Sequence, residues 1–301
     1  ANILVDNGRT SFARPNTQQL PKIGGVREGF IPRPGYVFVA ADYSIAELCS
    51  LSQVLLHLFG ESKMANAIRD GKDLHIHTAA SILGIDYKTA MARYLAGDKK
   101  VADARDLSKA ANFGYMGGMG APGFVYYAKG YGVNIDFAQS ARIREIWLAE
   151  YPEMLLYFDW INAQAMGHTY TSQHPITGFV RGGVGFTDGA NHNAQHLTSC
   201  GAKEALFNVA EECYLPGTEL FGSRPVFFVH DEIIMETPIP RAHEAAMRLK
   251  TVMEDSMTVY VKDIPCKVEA TMMNYWSKKA KPTYDGGGRL IPWVDNRIVA
   301  P

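Results

Sequence analysis

Apolar positions recur with a period near two in some stretches of the chain and near 3.6 in others, and the switches between the two lay out its elements. The run from Tyr36 to Asp42 carries Val37, Phe38 and Val39 and reads as a buried strand. A helix over 45–59 follows at once, with Leu48, Leu51, Leu55 and Leu58 along one face. The same spacing predicts helices over 74–83, 86–96, 99–116, 136–149, 153–167, 189–213 and 240–260. Strand signals fall around Tyr170, in "GFVRGG", over 225–230, over 232–237 and over 265–271. The first 35 residues are rich in Pro, Gly, Asn and Gln and read as irregular chain draped over something else. The expected class is α+β: a small antiparallel sheet with helices on one face, and a helical insertion between about 60 and 165.

Composition narrows the picture only a little. At 301 residues and 47% hydrophobic content the chain can bury one or two cores, which excludes disordered and fibrous classes. Cys49, Cys200, Cys213 and Cys266 lack CxxC spacing and read as reduced thiols of a cytosolic protein. No apolar run has the length of a membrane span, and residues 1–20 lack the apolar core of a signal peptide, so a soluble, cytoplasmic protein is expected. A net charge of −1 gives no global sign of a polyanion partner. Two basic clusters stand out locally. Arg9, Arg14, Lys22, Arg27 and Arg33 face only Asp6 and Glu28; Lys99, Lys100, Arg105, Lys109 and Lys129 face Asp103 and Asp106. Such clusters are most often solvated faces.

Candidate chemistry begins with acids at strand ends. In "FVHDEIIMETP", from Phe228 to Pro238, Asp231 and Glu232 interrupt a strand pattern, and taken alone they read as the tip of a hairpin. A second acid, Asp42, closes the strand in "YVFVAADYSIAEL". An acid at the end of a buried strand is held rigidly at the rim of a sheet, where ligands bind, and two such acids suggest a metal site. On the helix "KKVADARDLSKAANFGYMGG", Arg105, Lys109 and Phe113 are spaced by four and share a face. Two cations and an aromatic suit a nucleoside triphosphate, the cations neutralising phosphate and the ring packing on sugar or base. The plain alternative is a solvated basic face with Phe113 turned to the core.

Read together, "ADYSIAEL", "RDLSKAANFGY" and "VHDE" resemble, in order and separation, the three signature motifs of family A DNA polymerases, the DNA polymerase I group. The resemblance extends to "GRTSFARPNTQQLP", "DLHIHTAA" and "ANHNAQHLTSCGAK", and so covers Gly8 to about Trp276. It implies an antiparallel palm sheet carrying the catalytic acids and a mostly helical fingers subdomain inserted into it. The expected boundaries are palm over 1–59 and 166–276, fingers over 60–165, and an extended tail over 277–301. The implied activity is template-directed DNA synthesis from deoxynucleoside triphosphates on primer-template DNA.

By the same resemblance, Asp42 and Asp231 are the metal-binding carboxylates, completed by the backbone carbonyl of Tyr43. Two Mg²⁺ ions are implied, with Mn²⁺ able to substitute. Glu232 is a secondary acid near the primer terminus, and His230 holds the primer end. Glu47 matches the gate against ribonucleotides. Arg105 and Lys109 grip the triphosphate, Lys109 being also a candidate proton donor to pyrophosphate. Phe113 packs on the incoming nucleotide and His75 touches the β-phosphate side. Arg9, Asn191 and Gln195 match positions that contact primer and template. A noncatalytic nucleic-acid-binding subunit that kept the fold is the alternative.

The departures from the family pattern point to a divergent, phage-like branch. Gly117 stands where a tyrosine is common, Cys49 and Thr187 where arginines are common, and Ile45-Ala46 where Gln-Ile is usual. In the family a helical thumb, and usually an exonuclease-like domain, precede the "GR" block that here begins at Gly8. The expectation is a chain without thumb and exonuclease domains, completed by a thumb-bearing N-terminal portion or a separate polypeptide. Two further matches are set aside. "GMGAPG" follows a helix instead of a strand and reads as a turn with Gly117 and Gly118 at a helix C-cap. "HNAQH" spaces His192 and His196 like zinc ligands but lacks a glutamate and a third ligand, and reads as helix-surface histidines near DNA.

Overall fold

The computed structural model describes residues 5, 8–21 and 25–295; Asp6, Lys22 and the last six residues of the tail lie outside them. Contacts divide the chain into two compact units, one of 1–46, 197–262 and 266–301, the other of 47–196 and 263–265.

The first unit is built on a four-stranded antiparallel sheet. Its strands are β1 (Tyr36–Tyr43), β5 (Arg224–Val229), β6 (Glu232–Pro238) and β7 (Val268–Met273), in the order β5-β6-β1-β7. Central β1 is buried on both faces, which is why it reads as a nearly unbroken apolar run. On one face Phe38 and Ala40 pack with Val229, Ile234, Met273 and Trp276. Against the other face lies α10 (Ala242–Thr258), to which the Tyr43 hydroxyl donates a hydrogen bond at the Met253 carbonyl, 2.6 Å.

The N-terminal segment does drape over this sheet. A 3₁₀ turn at Thr17–Gln19 buries Gln18, whose amide donates to Thr10 Oγ1 and the Phe228 carbonyl. The guanidinium of buried Arg27 lies 4.5 Å over the Trp276 ring, and the Phe30 carbonyl accepts from Trp276 N.

In place of an extended arm, the tail forms the hairpin β8 (Thr283–Tyr284) and β9 (Leu290–Ile291). It docks on the same unit: Leu290 N donates to His243 Nδ1, Arg289 pairs with Glu244, and Trp293 N donates to the Met272 carbonyl. Asp285 makes the sharp turn possible by accepting from Gly287 N and Arg289 N, a local bond that composition alone does not reveal.

The second unit is mostly helical. It holds α1 (Ala46–Phe59) from its second residue, α2 (Lys63–Arg69), α3 (Leu74–Leu83), α4 (Tyr87–Leu95), α5 (Lys99–Met116), α6 (Ala121–Lys129), α7 (Phe137–Glu150) and α8 (Glu153–Asn162). Three short strands, β2 (Ala165–Met166), β3 (Thr169–Gln173) and β4 (Val180–Val184), form an antiparallel sheet. The 29-residue α9 (Phe186–Tyr214) contributes to both units, dividing after His196.

Helices α2 and α6 are additions to the sequence reading. Ser62 caps the first by accepting from Ala65 N, and Pro122 opens the second behind Gly120. The helix expected over 153–167 stops at Asn162 because the chain turns there into β2. Among the described residues no helix is long and apolar enough to cross a membrane.

Candidate active site

In the first unit the alternation of β1 decides which side chains reach the rim. Phe38, Ala40 and Asp42 share a face, so the strand that seats Phe38 in the Trp276 core delivers Asp42 to the edge of that core. The β1–β6 pairing runs from Tyr36↔Pro238 to Ala41↔Ile233; one step further brings Asp42 opposite Glu232. On the other side Asp42 pairs with Glu269 of β7. Three carboxylates abreast on neighbouring strands repel one another, so the arrangement calls for positive charge.

Lys278 supplies some of it. Its ammonium lies 2.6 Å from Glu232 Oε2 and 3.7 Å from Asp42 Oδ2. Asp42, Tyr43, Glu232, Glu269 and Lys278 line a cleft of about 290 Å³. Burial pushes the Glu232 carboxyl above its usual range, with Lys278 opposing and Asp42 adding to the rise. Burial alone would lower the Lys278 pKa, but Glu232 and Asp42 together raise it, so it stays charged.

Asp231 does not line this cleft. It occupies, with His230, the two-residue turn between β5 and β6, where Val229 pairs with Glu232. His230 has φ +63°, a left-handed conformation that costs a non-glycine residue on the order of 1 kcal/mol. The hairpin tip expected at "HDE" is thus His230–Asp231, while Glu232 already belongs to β6. Tyr43 turns its side chain to α10, leaving its backbone at the cleft; its phenol is pushed up by burial first, then by Cys266 and Asp231. On α9, Ser199 Oγ and Lys203 Nζ donate to the Gly8 carbonyl, which holds the chain next to Arg9 against that helix.

In the second unit the α5 face carries Arg105 and Phe113 half-buried and Lys109 exposed. Arg105 donates through Nε and Nη2 to Asp73 Oδ2, at 3.1 and 2.8 Å, and lies over the Tyr94 ring. The other oxygen of Asp73 caps α3, accepting from His75 N and Ile76 N. Burial would raise the Asp73 pKa, but the Arg105 and Ile76 hydrogen bonds hold it below the usual carboxylate range. The buried His75 ring lies 5.8 Å from Phe113. Burial lowers its pKa to about 4, Asp73 opposing and Arg105 and Lys109 contributing, so His75 is neutral at neutral pH.

Glu47 opens α1, close enough to Tyr127 for its charge to raise the phenol pKa after burial and Tyr131. Tyr127 packs on Gly114 of α5, where an added Cβ would meet its ring at 3.2 Å. Neither Lys278 nor Tyr127 was named from sequence. One follows Trp276, where the motif resemblance ends, and the other sits on a helix that carries no motif.

Asn191 fills the space beside Gly117, whose absent Cβ would lie 2.3 Å from Asn191 Nδ2. Gln195 follows one turn along the same face. The histidines of "HNAQH" are buried and not on the helix surface: His192 and His196 pack with Phe179 and His174, and Phe179 stacks on His196 at 4.3 Å. Apolar contact with the β3–β4 hairpin draws them inward.

Among the described residues no three His, Cys, Asp or Glu side chains form a metal cage. The cleft nevertheless offers the oxygens of Asp42, Glu232 and Glu269, donors of the kind that suit Mg²⁺, a hard ion that takes one or two carboxylates and fills its shell with water and phosphate.

One unit thus presents acids at the rim of an antiparallel sheet, and the other, mostly helical, carries a cationic row on α5. Residues 2–178 match DNA polymerase family A, and the chain belongs to that family. It is 29% identical over 287 residues to DNA polymerase I of Deinococcus radiodurans, covering 92% of this chain and 28% of that protein. For DNA polymerase I of Aquifex aeolicus the identity is 27%, covering 90% and 44%. The chain thus spans less than half the length of these relatives. The POL domain of Pol1 from M. smegmatis, solved with DNA primer-template and dNTP, shares the fold with a TM-score of 0.68 and 20% identity, covering 90% of this chain and 46% of that one.

Proposed function

We propose that this chain carries out template-directed DNA synthesis, transferring a deoxynucleotide from its triphosphate to a primer 3′-hydroxyl. The observation that carries the reading is Asp42 set beside Glu232 at the sheet rim, in a family whose named relatives are DNA polymerases. Asp42, Asp231 and the Tyr43 carbonyl would hold two Mg²⁺ ions, or Mn²⁺ in their place. Bound there, the ions would lower the pKa of the attacking hydroxyl and offset charge on the leaving pyrophosphate.

The chain's own groups do the rest. Arg105 and Lys109 hold the triphosphate, and Lys109, an exposed side chain, is also the candidate proton donor to pyrophosphate. His75 donates to the β-phosphate side and Phe113 packs on the nucleotide. Glu47, with Tyr127 beside it, excludes a 2′-hydroxyl. Glu232 stays beside the primer terminus, His230 holds the primer end, and Arg9, Asn191 and Gln195 contact the duplex. Residues 1–59 and 166–276 act as palm and 60–165 as fingers. A thumb-bearing portion or polypeptide belongs to the same reading, because phosphate contacts along the duplex supply most nonspecific affinity.

The test is primer extension with Mg²⁺ and deoxynucleotides, comparing the wild type with Asp231→Asn and Asp42→Asn. The expected loss is several orders of magnitude in each variant. Extension close to wild type in either removes that residue from the site.

A further inference from the structure

Behind the α5 face, a buried polar chain fixes the chemical form of His75. Asn112, one residue before Phe113 and 1% exposed, lies at its centre. Its Oδ1 accepts from Trp147 Nε1 at 2.9 Å and from Thr78 Oγ1 at 3.0 Å. Its Nδ2 lies 3.3 Å from the Leu74 carbonyl and 3.0 Å from His75 Nδ1.

The amide has only one consistent orientation. An indole N–H can only donate, so it requires Oδ1; a backbone carbonyl can only accept, so it requires Nδ2. Both ends of Asn112 are thereby assigned, and its second amide hydrogen must go to His75. Nδ1 of His75 is consequently an acceptor, and the ring proton sits on Nε2.

We propose that Asn112 is a positioning residue that locks His75 as its neutral Nε2–H tautomer, presenting a single hydrogen-bond donor to the triphosphate. This rests on the reading of His75 as a triphosphate ligand, and it adds the device that sets its protonation. The charged and titratable groups around the imidazole are Asp73, Arg105 and Lys109. Burial together with these two cations keeps the ring uncharged at neutral pH. A neutral ring could expose either a donor or a bare lone pair, and a lone pair would repel phosphate oxygen. Asn112 removes that ambiguity at no cost in charge, with all four of its hydrogen-bond partners buried in the same unit.

The experiment is ¹⁵N NMR of the imidazoles in the full chain, with His75 assigned by its loss in His75→Asn. Isothermal titration with a non-hydrolysable α,β-methylene deoxynucleoside triphosphate accompanies it. The wild type is expected to show the Nε2–H form across neutral pH. In Asn112→Asp the carboxylate keeps the bonds from Trp147 and Thr78 but can only accept from His75. The proton should move to Nδ1, with triphosphate affinity reduced by about tenfold or more, the scale of one hydrogen bond to a charged group. A wild-type spectrum showing the Nδ1–H form overturns the proposal without any variant, as does an unchanged Nε2–H form in Asn112→Asp. Transfer of the proton with unaltered affinity supports the role of Asn112 and overturns that of His75 as a triphosphate ligand.

Discussion

The ammonium of Lys278 lies 2.6 Å from Oε2 of Glu232, so a residue from the C-terminal segment neutralises an acid on the first residue of β6. Trp276 explains the placement. Its ring packs against Arg27, Phe30 and Phe227, and two residues later Lys278 lines the cleft with Asp42 and Glu232. Lys278→Met should destabilise the metal-free protein by about 2 kcal/mol, below the full cost of orphaning a buried charge because the pair is partly hydrated. Millimolar Mg²⁺ should restore part of that loss in urea titrations. Equal loss with and without Mg²⁺ would show that cation and ammonium do not serve the same carboxylates.

Arg105 is paired with Asp73 yet half-exposed, and such ion pairs contribute at most about 1 kcal/mol. Arg105→Ala should therefore leave the urea midpoint nearly unchanged while weakening triphosphate binding by tenfold or more, about 1.4 kcal/mol. A large drop in stability with binding intact would assign the residue to the fold.

Stability should fall in mild acid. Burial, His196 and His192 hold the His174 pKa down to about 3, with the Asn193 carbonyl opposing and His57 a lesser contributor. Its folded pKa lies below the unfolded value of about 6.5, so the unfolded chain binds the extra proton once pH drops below about 6.5. The stabilisation is complete above that pH and is lost as pH falls toward 3. Between pH 6.5 and 5 the loss is about 1.6 kcal/mol for this one group. Urea midpoints across that range measure it, and His174→Asn should flatten the slope.

The backbone of His230 is strained at φ +63°, and glycine tolerates that region. His230→Gly should raise stability by up to about 1 kcal/mol while reducing primer extension, the pattern of strain kept at a working position. A less stable variant with full activity would reverse that interpretation.

Glu47→Ala should increase ribonucleotide incorporation, and Tyr127→Phe should do so more weakly because it leaves the carboxylate but removes its neighbouring hydroxyl. Competitive incorporation of ribo- and deoxynucleotides measures both. Unchanged discrimination in Glu47→Ala would dismiss the gate.

Most elements were legible in the sequence because each is set by short-range periodicity. The β1 run, the Leu48-to-Leu58 stripe, the "HDE" hairpin and α5 all follow from spacings of two or four, which local geometry enforces wherever the chain goes. The order of the motifs likewise placed the chain in its family. What spacing could not reach were relations between distant residues. Helix α6 carries Tyr127 to Gly114, Trp276 steers Lys278 to Asp42 and Glu232, and Asn112 joins Trp147 to His75. The histidines of "HNAQH" looked like surface residues because helical spacing says nothing of what packs against a face; the β3–β4 hairpin buries them. Sequence alone determined which residue types stand at the ends of β1 and on the face of α5. Only the tertiary structure decided the protonation of Glu232 and His75, because a carboxylate or imidazole takes it from the burial and partners that long-range packing supplies.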